Sequence, residues 1–273
     1  MTVDESYAWS ADVARKQAKN FYYSFLLLEK PRRRAMCAIY AFMRYCDDLS
    51  DDEGIADRSA AIARWRADLE QALAGHTGAH PVWPAFIDTV TRYDIPHQYF
   101  FDMIDGVSSD LGPRRIQTFE ELYDYCYHVA SVVGLVIIHI FGFDSPKALD
   151  LAEKCGIAFQ LTNILRDVRE DMEKDRVYLP AEDLAGFHVS EFQSSEQFKA
   201  LMAFEAARAR DYYRQSSPLV AMIRPGSRAS LRALIGIYSR LLDRIVASNY
   251  DVLERRIRVP WWEKLWVVIS AVR

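Results

Sequence analysis

Apolar residues recur along this chain every three or four positions, the spacing that places them on one face of an α-helix. No stretch alternates apolar and polar residues as a half-buried strand does, and the Asn-Gly dipeptide typical of hairpins is absent. The period predicts helices over 4–28, 32–50, 57–74, 81–92, 96–110, 118–142, 146–172, 194–214, 217–223, 227–252 and 260–271. We therefore expect a single all-α domain over 1–273, with its least ordered stretches at 74–80 and 173–190.

Composition fits a folded protein and argues against a nucleic-acid partner. Of 273 residues, 51% are hydrophobic and 26% are charged, so the chain can bury a core. The net charge of -4 offers no general basic surface for a phosphate backbone. The four cysteines form no CxxC pair, which favours free thiols in a reducing compartment. Because the N-terminus has no apolar signal segment, we expect a cytoplasmic protein.

Two apolar segments bear on membrane contact. The run over 129–143 is interrupted by His139 and is too short to span a bilayer. The segment over 255–273, RRIRVPWWEKLWVVISAVR, mixes arginine, tryptophan and aliphatic residues. It suits either a peripheral contact on the inner face of a membrane or a helix that packs its tryptophans on the core. Both interpretations stay open.

A dense acidic stretch, RYCDDLSDDEG over 44–54, follows the apolar part of the predicted helix 32–50. At about 100° per residue, polar positions spaced by four, three and four form one line: Tyr40, Arg44, Asp47 and Asp51. The opposite side is apolar: Ala35, Ile39, Phe42 and Cys46. The two carboxylates therefore belong to an organised polar face, with Asp48 beside the line.

The predicted helix 146–172 carries a second polar line, spaced by three, four and four: Gln160, Asn163, Asp167 and Asp171. Neither Asp167 nor Asp171 has a basic residue along that line. Polar groups beside an apolar stripe are costly to bury without partners, and like charges one turn apart repel. Water or a cation must then satisfy this face.

Taken singly, each acidic pair is most often an exposed helix surface, so the interpretation depends on the two together. Two such faces that meet across a cavity would present the oxygen ligands that Mg²⁺ prefers, with phosphate oxygens completing its shell. Other chemistries have no support, because the chain lacks a Gly-rich phosphate loop, an HExxH pair and a GxSxG turn. A GxGxxG fingerprint is also missing, which does not exclude a reductive step.

Three blocks of this sequence, AIYAFMRYCDDLSD, YCYHVASVVGL and QLTNILRDVREDMEKDRVYLP, resemble the signature motifs of the squalene/phytoene synthases. That resemblance implies an isoprenoid-synthase helical bundle around a central cavity. It also implies a Mg²⁺-dependent, head-to-head condensation of two prenyl diphosphates. The third block is long and specific, and the similarity extends over nearly the whole chain.

The resemblance implies roles for individual positions. The residues matching the two aspartate motifs, expected to hold two or three Mg²⁺ ions on the diphosphate, are Asp47, Asp51, Asn163, Asp167 and Asp171. Tyr125 matches a cavity tyrosine that would guide proton loss, and Arg44 an arginine beside the diphosphate. Further positions expected to contact substrate are Phe21, Tyr40, Gln160, Arg166, and the flap residues Arg176 and Tyr178.

One departure affects the diphosphate contacts near residue 20. The family often has Ser-x-Ser before the first phenylalanine, whereas this chain has Ala18-Lys19-Asn20-Phe21. Ala18 cannot donate a hydrogen bond. Asn20 and Lys19 could donate there instead, and the nearby Arg33 offers another positive group.

The forms VASVVGL and NILRDV favour synthases that couple two diphosphates. The preferred substrate is farnesyl diphosphate, giving presqualene diphosphate and onward squalene with NADPH, as a hopanoid or sterol precursor. The alternative is phytoene synthesis from two geranylgeranyl diphosphates. A non-catalytic helical protein of the same fold is the hypothesis from another class; it would show lost metal ligands, and none is lost here. We expect a monomer or a weak homodimer.

Overall fold

The structure is a computed structural model that describes residues 1–18, 21–52 and 54–272, without the side chains of Phe21 and Asp51. The helices are α1 (Val3–Gln17), α2 (Phe21–Phe25), α3 (Lys30–Asp51), α4 (Arg58–Leu73), α5 (Trp83–Arg92), α6 (Gln98–Ser108), α7 (Phe119–Cys126), α8 (Val132–Phe141), α9 (Lys147–Glu173), α10 (Ala181–Gly186), α11 (Glu196–Ser216), α12 (Leu219–Met222), α13 (Pro225–Ala247) and α14 (Trp261–Ala271). A π-helical turn, Tyr127–Ser131, joins α7 to α8, and two short strands are β1 (Arg114–Arg115) and β2 (Arg176–Val177). The all-α prediction is confirmed.

The predicted helix 4–28 contains α1 and α2, and two of the residues between these helices, Lys19 and Asn20, lie outside the described part of the chain. The other large difference is at 173–190, which we expected to be poorly ordered. That stretch contains β2 and α10. Strand β2 pairs in parallel with β1, which lies after α6, and this pairing holds the start of the stretch in place. A two-residue strand has no periodicity from which it could be predicted.

Several helices begin where a polar side chain satisfies the first backbone N–H groups. Thr118 Oγ1 accepts from the Glu121 N–H at the start of α7, at 3.2 Å. Ser195 does the same for Phe198 at the start of α11, and Asp57 for Ala60 at the start of α4. Such caps stabilise a helix by about 1 kcal/mol each, and they fix the first residue of the helix.

The helical run from α7 through α8 lies at the centre of the fold. By length and composition Phe119–Phe141 is apolar enough to cross a membrane. It packs, however, against α6 and α9, and half of its most apolar window is buried. Gly156 of α9 allows the close approach, since a Cβ there would lie 2.5 Å from Ser131 Cα. We therefore interpret Phe119–Phe141 as a core element.

Two clusters of buried side chains surround the central run. One is formed mainly by α1, α3, α4, α5, α6 and α8, and it includes the fully buried Trp83, Phe86 and Phe100. The other is formed mainly by α7, α9, α11 and the end of α13. Between α3, α6, the π-turn, α8, α9 and α13 a cavity of about 430 Å³ remains open.

Candidate active site

The cavity is apolar over most of its wall and polar over one part. Apolar lining residues include Met36, Ile39, Met103, Ile137, Leu231 and Leu234. The charged and amide groups that line it are Arg44, Asp47, Asp110, Gln160, Asn163, Lys174 and Arg176. An elongated molecule with a charged head and an apolar tail matches this division.

Helix α3 presents the predicted polar line to the cavity. Tyr40, Arg44 and Asp47 all line it, whereas Phe42 and Cys46 on the opposite side are completely buried in the core. Arg44 forms an ion pair with Asp48, one turn further along the helix. Asp48 therefore helps to hold the Arg44 guanidinium at the cavity, although it lies beside the line.

Some predicted positions on this side cannot be placed. Asn20 and the side chains of Phe21 and Asp51 lie outside the residues that the structure describes. Arg33 is in the first turn of α3 and is not among the residues that line the cavity. Its expected contact with diphosphate stays a prediction.

Helix α9 presents Gln160 and Asn163 to the same cavity. The Asn163 amide donates to Gln160 Oε1 at 3.3 Å. Asn163 Oδ1 is buried yet accepts no hydrogen bond from the described residues. A buried amide oxygen without a donor is costly, so this atom is available to a ligand that enters the cavity.

Asp167 lies one turn beyond Asn163, and its surroundings differ from the sequence-based expectation. Both carboxylate oxygens accept from the neighbouring Arg166, with Nε to Oδ1 at 2.7 Å. Arg256, from the segment after α13, adds a contact at 3.1 Å. The expectation that this carboxylate is uncompensated was wrong, because both arginines reach it from outside the polar line of α9.

Asp171 is partly buried, with both acidic and basic groups near it. Burial, reinforced by the Asp167 charge, raises the pKa of Asp171 to about 7, and Arg176 offsets part of this effect. A group in this state gains from a cation placed next to it. Asp171 lies beside a small pocket that it shares with Arg176 and Tyr178, rather than on the main cavity wall.

A buried network joins α7 to the predicted flap. Tyr125 and Tyr178 both donate to Asp110, at 2.9 and 2.7 Å, and their rings stack with centroids 4.6 Å apart. Burial raises the pKa of Asp110, and Arg176 and Arg114 act in the opposite direction. Arg176 also donates to the Asp110 carbonyl. The flap is thereby held against the cavity wall.

Asp110 is the functional candidate that the sequence analysis missed. It ends the predicted helix 96–110, where an acidic residue is unremarkable, and no spacing connects it to Tyr125 or Tyr178. The adjacent arginines at 114 and 115 were the one sequence feature that pointed to this region. In the structure the Arg114 guanidinium lies 5.0 Å from the centre of the Tyr125 ring. Phe159 and Tyr238, which stack with centroids 4.3 Å apart at the cavity, were also missed.

Comparison with known proteins identifies the family to which the chain belongs. The squalene/phytoene synthase family model matches residues 14–263. The 15-cis-phytoene synthase of Synechococcus elongatus is 37% identical, over 97% of this chain and 91% of its own length. Phytoene synthase 3 of Zea mays is also 37% identical, over 95% of this chain and 64% of its own length.

Two solved structures resemble the whole fold. A dehydrosqualene synthase superposes with a TM-score of 0.92 at 29% identity, covering 99% of this chain and 96% of that one. Squalene synthase HpnC from Alicyclobacillus acidocaldarius gives a TM-score of 0.84 at 25% identity, covering 91% and 95%. On this evidence the chain belongs to the squalene/phytoene synthase family, and it is a prenyltransferase that condenses prenyl diphosphates head to head.

Proposed function

We propose that this prenyltransferase joins two geranylgeranyl diphosphates into phytoene. The observation that supports a condensation is the single cavity onto which both Asp47 of α3 and Asn163 of α9 open, with apolar walls beyond them. The curated relatives reported above, which are called phytoene synthases, support the C20 substrate. They shift our preference away from farnesyl diphosphate, which the signature motifs favoured.

Condensation of two farnesyl diphosphates to presqualene diphosphate is the second candidate. It is supported by the high structural similarity to a dehydrosqualene synthase and to a squalene synthase. Identity to those two proteins is lower than to the phytoene synthases, so we rank this candidate second. NADPH would be needed only if the product were squalene.

The residues at the polar part of the cavity fit Mg²⁺. Members of the family generally depend on this ion. No three carboxylate, histidine or cysteine side chains cluster in the described residues to hold a metal alone. Asn163 Oδ1, without a hydrogen-bond donor, and Asp171, whose pKa is raised mainly by burial, are suited to an ion that is shared with diphosphate oxygens.

In this proposal the residues that would hold the ions are Asp47, Asp51, Asn163, Asp167 and Asp171. Bound Mg²⁺ would supply charge neutralisation for the departing diphosphate. Arg44, Lys174 and Arg176 line the same part of the cavity and attract the diphosphate group. Because these positive groups are already in place before the bond breaks, they stabilise the negative charge that develops on the departing diphosphate.

The apolar walls and the tyrosine pair act on the other half of the reaction. An allylic cation reacts with water, so the wall formed by residues such as Ile137 and Leu234 must keep the tail region dry. Tyr125 lines the cavity, and its hydroxyl donates a hydrogen bond to Asp110 Oδ2. Because burial makes Asp110 a stronger base, Tyr125 Oη can accept a proton from the substrate while passing its own proton to Asp110.

Product analysis tests the proposal. Purified protein is incubated with Mg²⁺ and either the C20 or the C15 diphosphate, with and without NADPH, and both diphosphate release and lipid products are measured. We expect phytoene from the C20 substrate without a requirement for NADPH. Presqualene diphosphate or squalene from the C15 substrate alone would support the second candidate. Release from neither substrate would contradict an enzymatic role.

A further inference from the structure

Helix α14 carries the largest apolar surface that the described residues leave exposed. Six of the eleven exposed large apolar side chains lie in 261–272: Trp261, Trp262, Leu265, Trp266, Ile269 and Val272. Their spacing along the helix places them side by side on one face, which we call the Trp face. The three tryptophans are 68%, 55% and 60% exposed. An apolar face of this kind marks a surface that meets a partner.

The opposite side of α14 is already used for packing, so the Trp face cannot turn inward. Val267 and Ala271 are buried against α13, and Gly236 of α13 allows the contact because a Cβ there would lie 2.7 Å from Val267 Cγ1. Glu263 accepts from Arg244 Nε at 2.9 Å. Packing and an ion pair thus hold the helix with its tryptophans outward.

The part of the chain that includes the Trp face is basic, whereas the chain as a whole is acidic. Residues 224–273 contain ten basic and four acidic side chains, although the complete chain carries a net charge of -4. Arg255 and Arg258 are exposed just before α14, and Arg232 of α13 is exposed beside it. Tryptophan with neighbouring arginine is the composition that binds the headgroup region of anionic bilayers.

The Trp face also stands behind the wall of the cavity. Helix α13 lines the cavity through Leu231, Leu234 and Tyr238, and it packs on α14 from its other side. Helix α2, which contributes Phe25 to the cavity, contacts α14 as well. The surface that would meet a bilayer is therefore attached to the elements that enclose the proposed apolar substrate.

We propose that the Trp face docks on the surface of an anionic lipid bilayer, with the arginines at 232, 255 and 258 against the lipid headgroups. This assigns the contact to α14 and not to Phe119–Phe141, which is packed in the core. The anionic inner leaflet of a cytoplasmic membrane has the required charge. Such docking would place the cavity beside a phase that dissolves prenyl chains, a consequence that rests on the proposed function.

Vesicle binding without substrate tests the docking independently of the reaction. The full chain is floated with vesicles of phosphatidylcholine alone and of phosphatidylcholine mixed with phosphatidylglycerol, at low and high salt. We expect binding to the anionic vesicles that salt weakens. Replacing two tryptophans, Trp261→Ser/Trp266→Ser, should reduce partitioning about 100-fold, because two large apolar side chains no longer enter the interface. A brominated lipid should quench the wild-type fluorescence and not that of the double variant.

Matched charge reversals separate a local contact from net charge. Arg258→Glu should reduce binding about tenfold, since it removes one attraction at the headgroups and adds a repulsion. Arg64→Glu makes the same charge change at an exposed position on α4, and we expect it to change binding by less than about twofold. Far-ultraviolet circular dichroism verifies that every variant is folded.

Three results would overturn the proposal. The first is a wild-type protein that binds neither kind of vesicle, and the second is binding that the tryptophan double variant retains. The third is a wild-type dimer in sedimentation velocity that the double variant converts to monomer, which would assign the Trp face to a second copy of the chain. None of these outcomes depends on which prenyl diphosphate is the substrate.

Discussion

The two polar helix faces have nearly the same residue spacing but different electrostatic environments. On α3, Asp47 is exposed at the cavity, and the neighbouring arginine pairs with Asp48. On α9, the Asp167 side chain is only 16% exposed and is held by Arg166 and Arg256. Asp167 on α9 is therefore mostly buried between two arginines, whereas Asp47 on α3 is exposed where it lines the cavity. The similar spacing predicts that both faces bind the same ligand. The neighbouring arginines and the degree of burial determine how much each carboxylate contributes to stability.

The largest expected effect is common to both faces and concerns catalysis. Asp47→Asn and Asp167→Asn should each lower turnover about 10²–10³-fold, because each removes a carboxylate that would hold the Mg²⁺ needed to neutralise the departing diphosphate. The loss of turnover is measured as the steady-state rate of diphosphate release at saturating Mg²⁺. Asp12→Asn, at an exposed carboxylate of α1 that pairs with Arg15 and does not line the cavity, is the matched control and should retain activity. If only one face were needed, one of the two variants would behave like this control.

The second prediction separates the faces by stability. Asp167→Asn leaves Arg166 and Arg256 with a neutral partner in a mostly buried place, so the free energy of unfolding should fall by about 2–3 kcal/mol. Asp47→Asn should change it by less than about 0.5 kcal/mol, since this side chain is exposed. Urea denaturation at pH 7 provides both values. Equal losses would show that the contrast between the faces is wrong.

The third prediction concerns a carboxyl away from the cavity whose pKa, like that of Asp171, is raised mainly by burial. Glu205 of α11 is 2% exposed, and burial raises its pKa from 4.5 to about 7, although Arg208 opposes the shift. The folded state thus holds a proton that the unfolded chain has lost, so stability falls as pH rises from about 4.5 to about 7. Glu205→Gln should remove up to about 3 kcal/mol of that fall. Mg²⁺ with diphosphate should leave this effect unchanged, because Glu205 does not line the cavity.

The smallest expected effect concerns the flap beside the α9 face. Asp110→Asn lets one oxygen accept where two tyrosine hydroxyls now donate, so unfolding free energy should fall by about 1 kcal/mol. Hydrogen exchange should quicken at the Arg114 and Ile116 amides, which donate to the flap carbonyls of Asp175 and Val177. Asp12→Asn again serves as a control, since its ion pair with Arg15 on α1 is exposed and exposed ion pairs contribute little. Unchanged exchange in Asp110→Asn would mean that the network does not hold the flap.

Sequence periodicity was sufficient for the helices because packing uses one face of each. The apolar side of α3, with Phe42 and Cys46 fully buried, is the side that the helical wheel assigned to the core. The same wheel placed Arg44 and Asp47 on the cavity side. It could not show that α9 would be met by Arg256 from 89 positions further on, since no local pattern encodes such a contact.

The parts that sequence missed depend on contacts between distant segments. Asp110 becomes part of the site through Tyr125 and Tyr178, which are 15 and 68 positions away. The flap is ordered by a two-residue parallel pairing, too short to leave a pattern. The Trp face was visible as composition, but its outward direction follows from the packing of Val267 and Ala271 on α13.

The central claim is that the α3 and α9 faces bind one metal–diphosphate group together. A double-mutant cycle with Asp47→Asn and Asn163→Ala tests it directly, with Mg²⁺-dependent binding of inorganic diphosphate measured by calorimetry. We predict strong coupling, in which the double variant loses little more affinity than the worse single variant, a coupling energy of about 1–3 kcal/mol. Losses that add to within about 0.5 kcal/mol would mean that the two faces act independently, and would contradict a shared site.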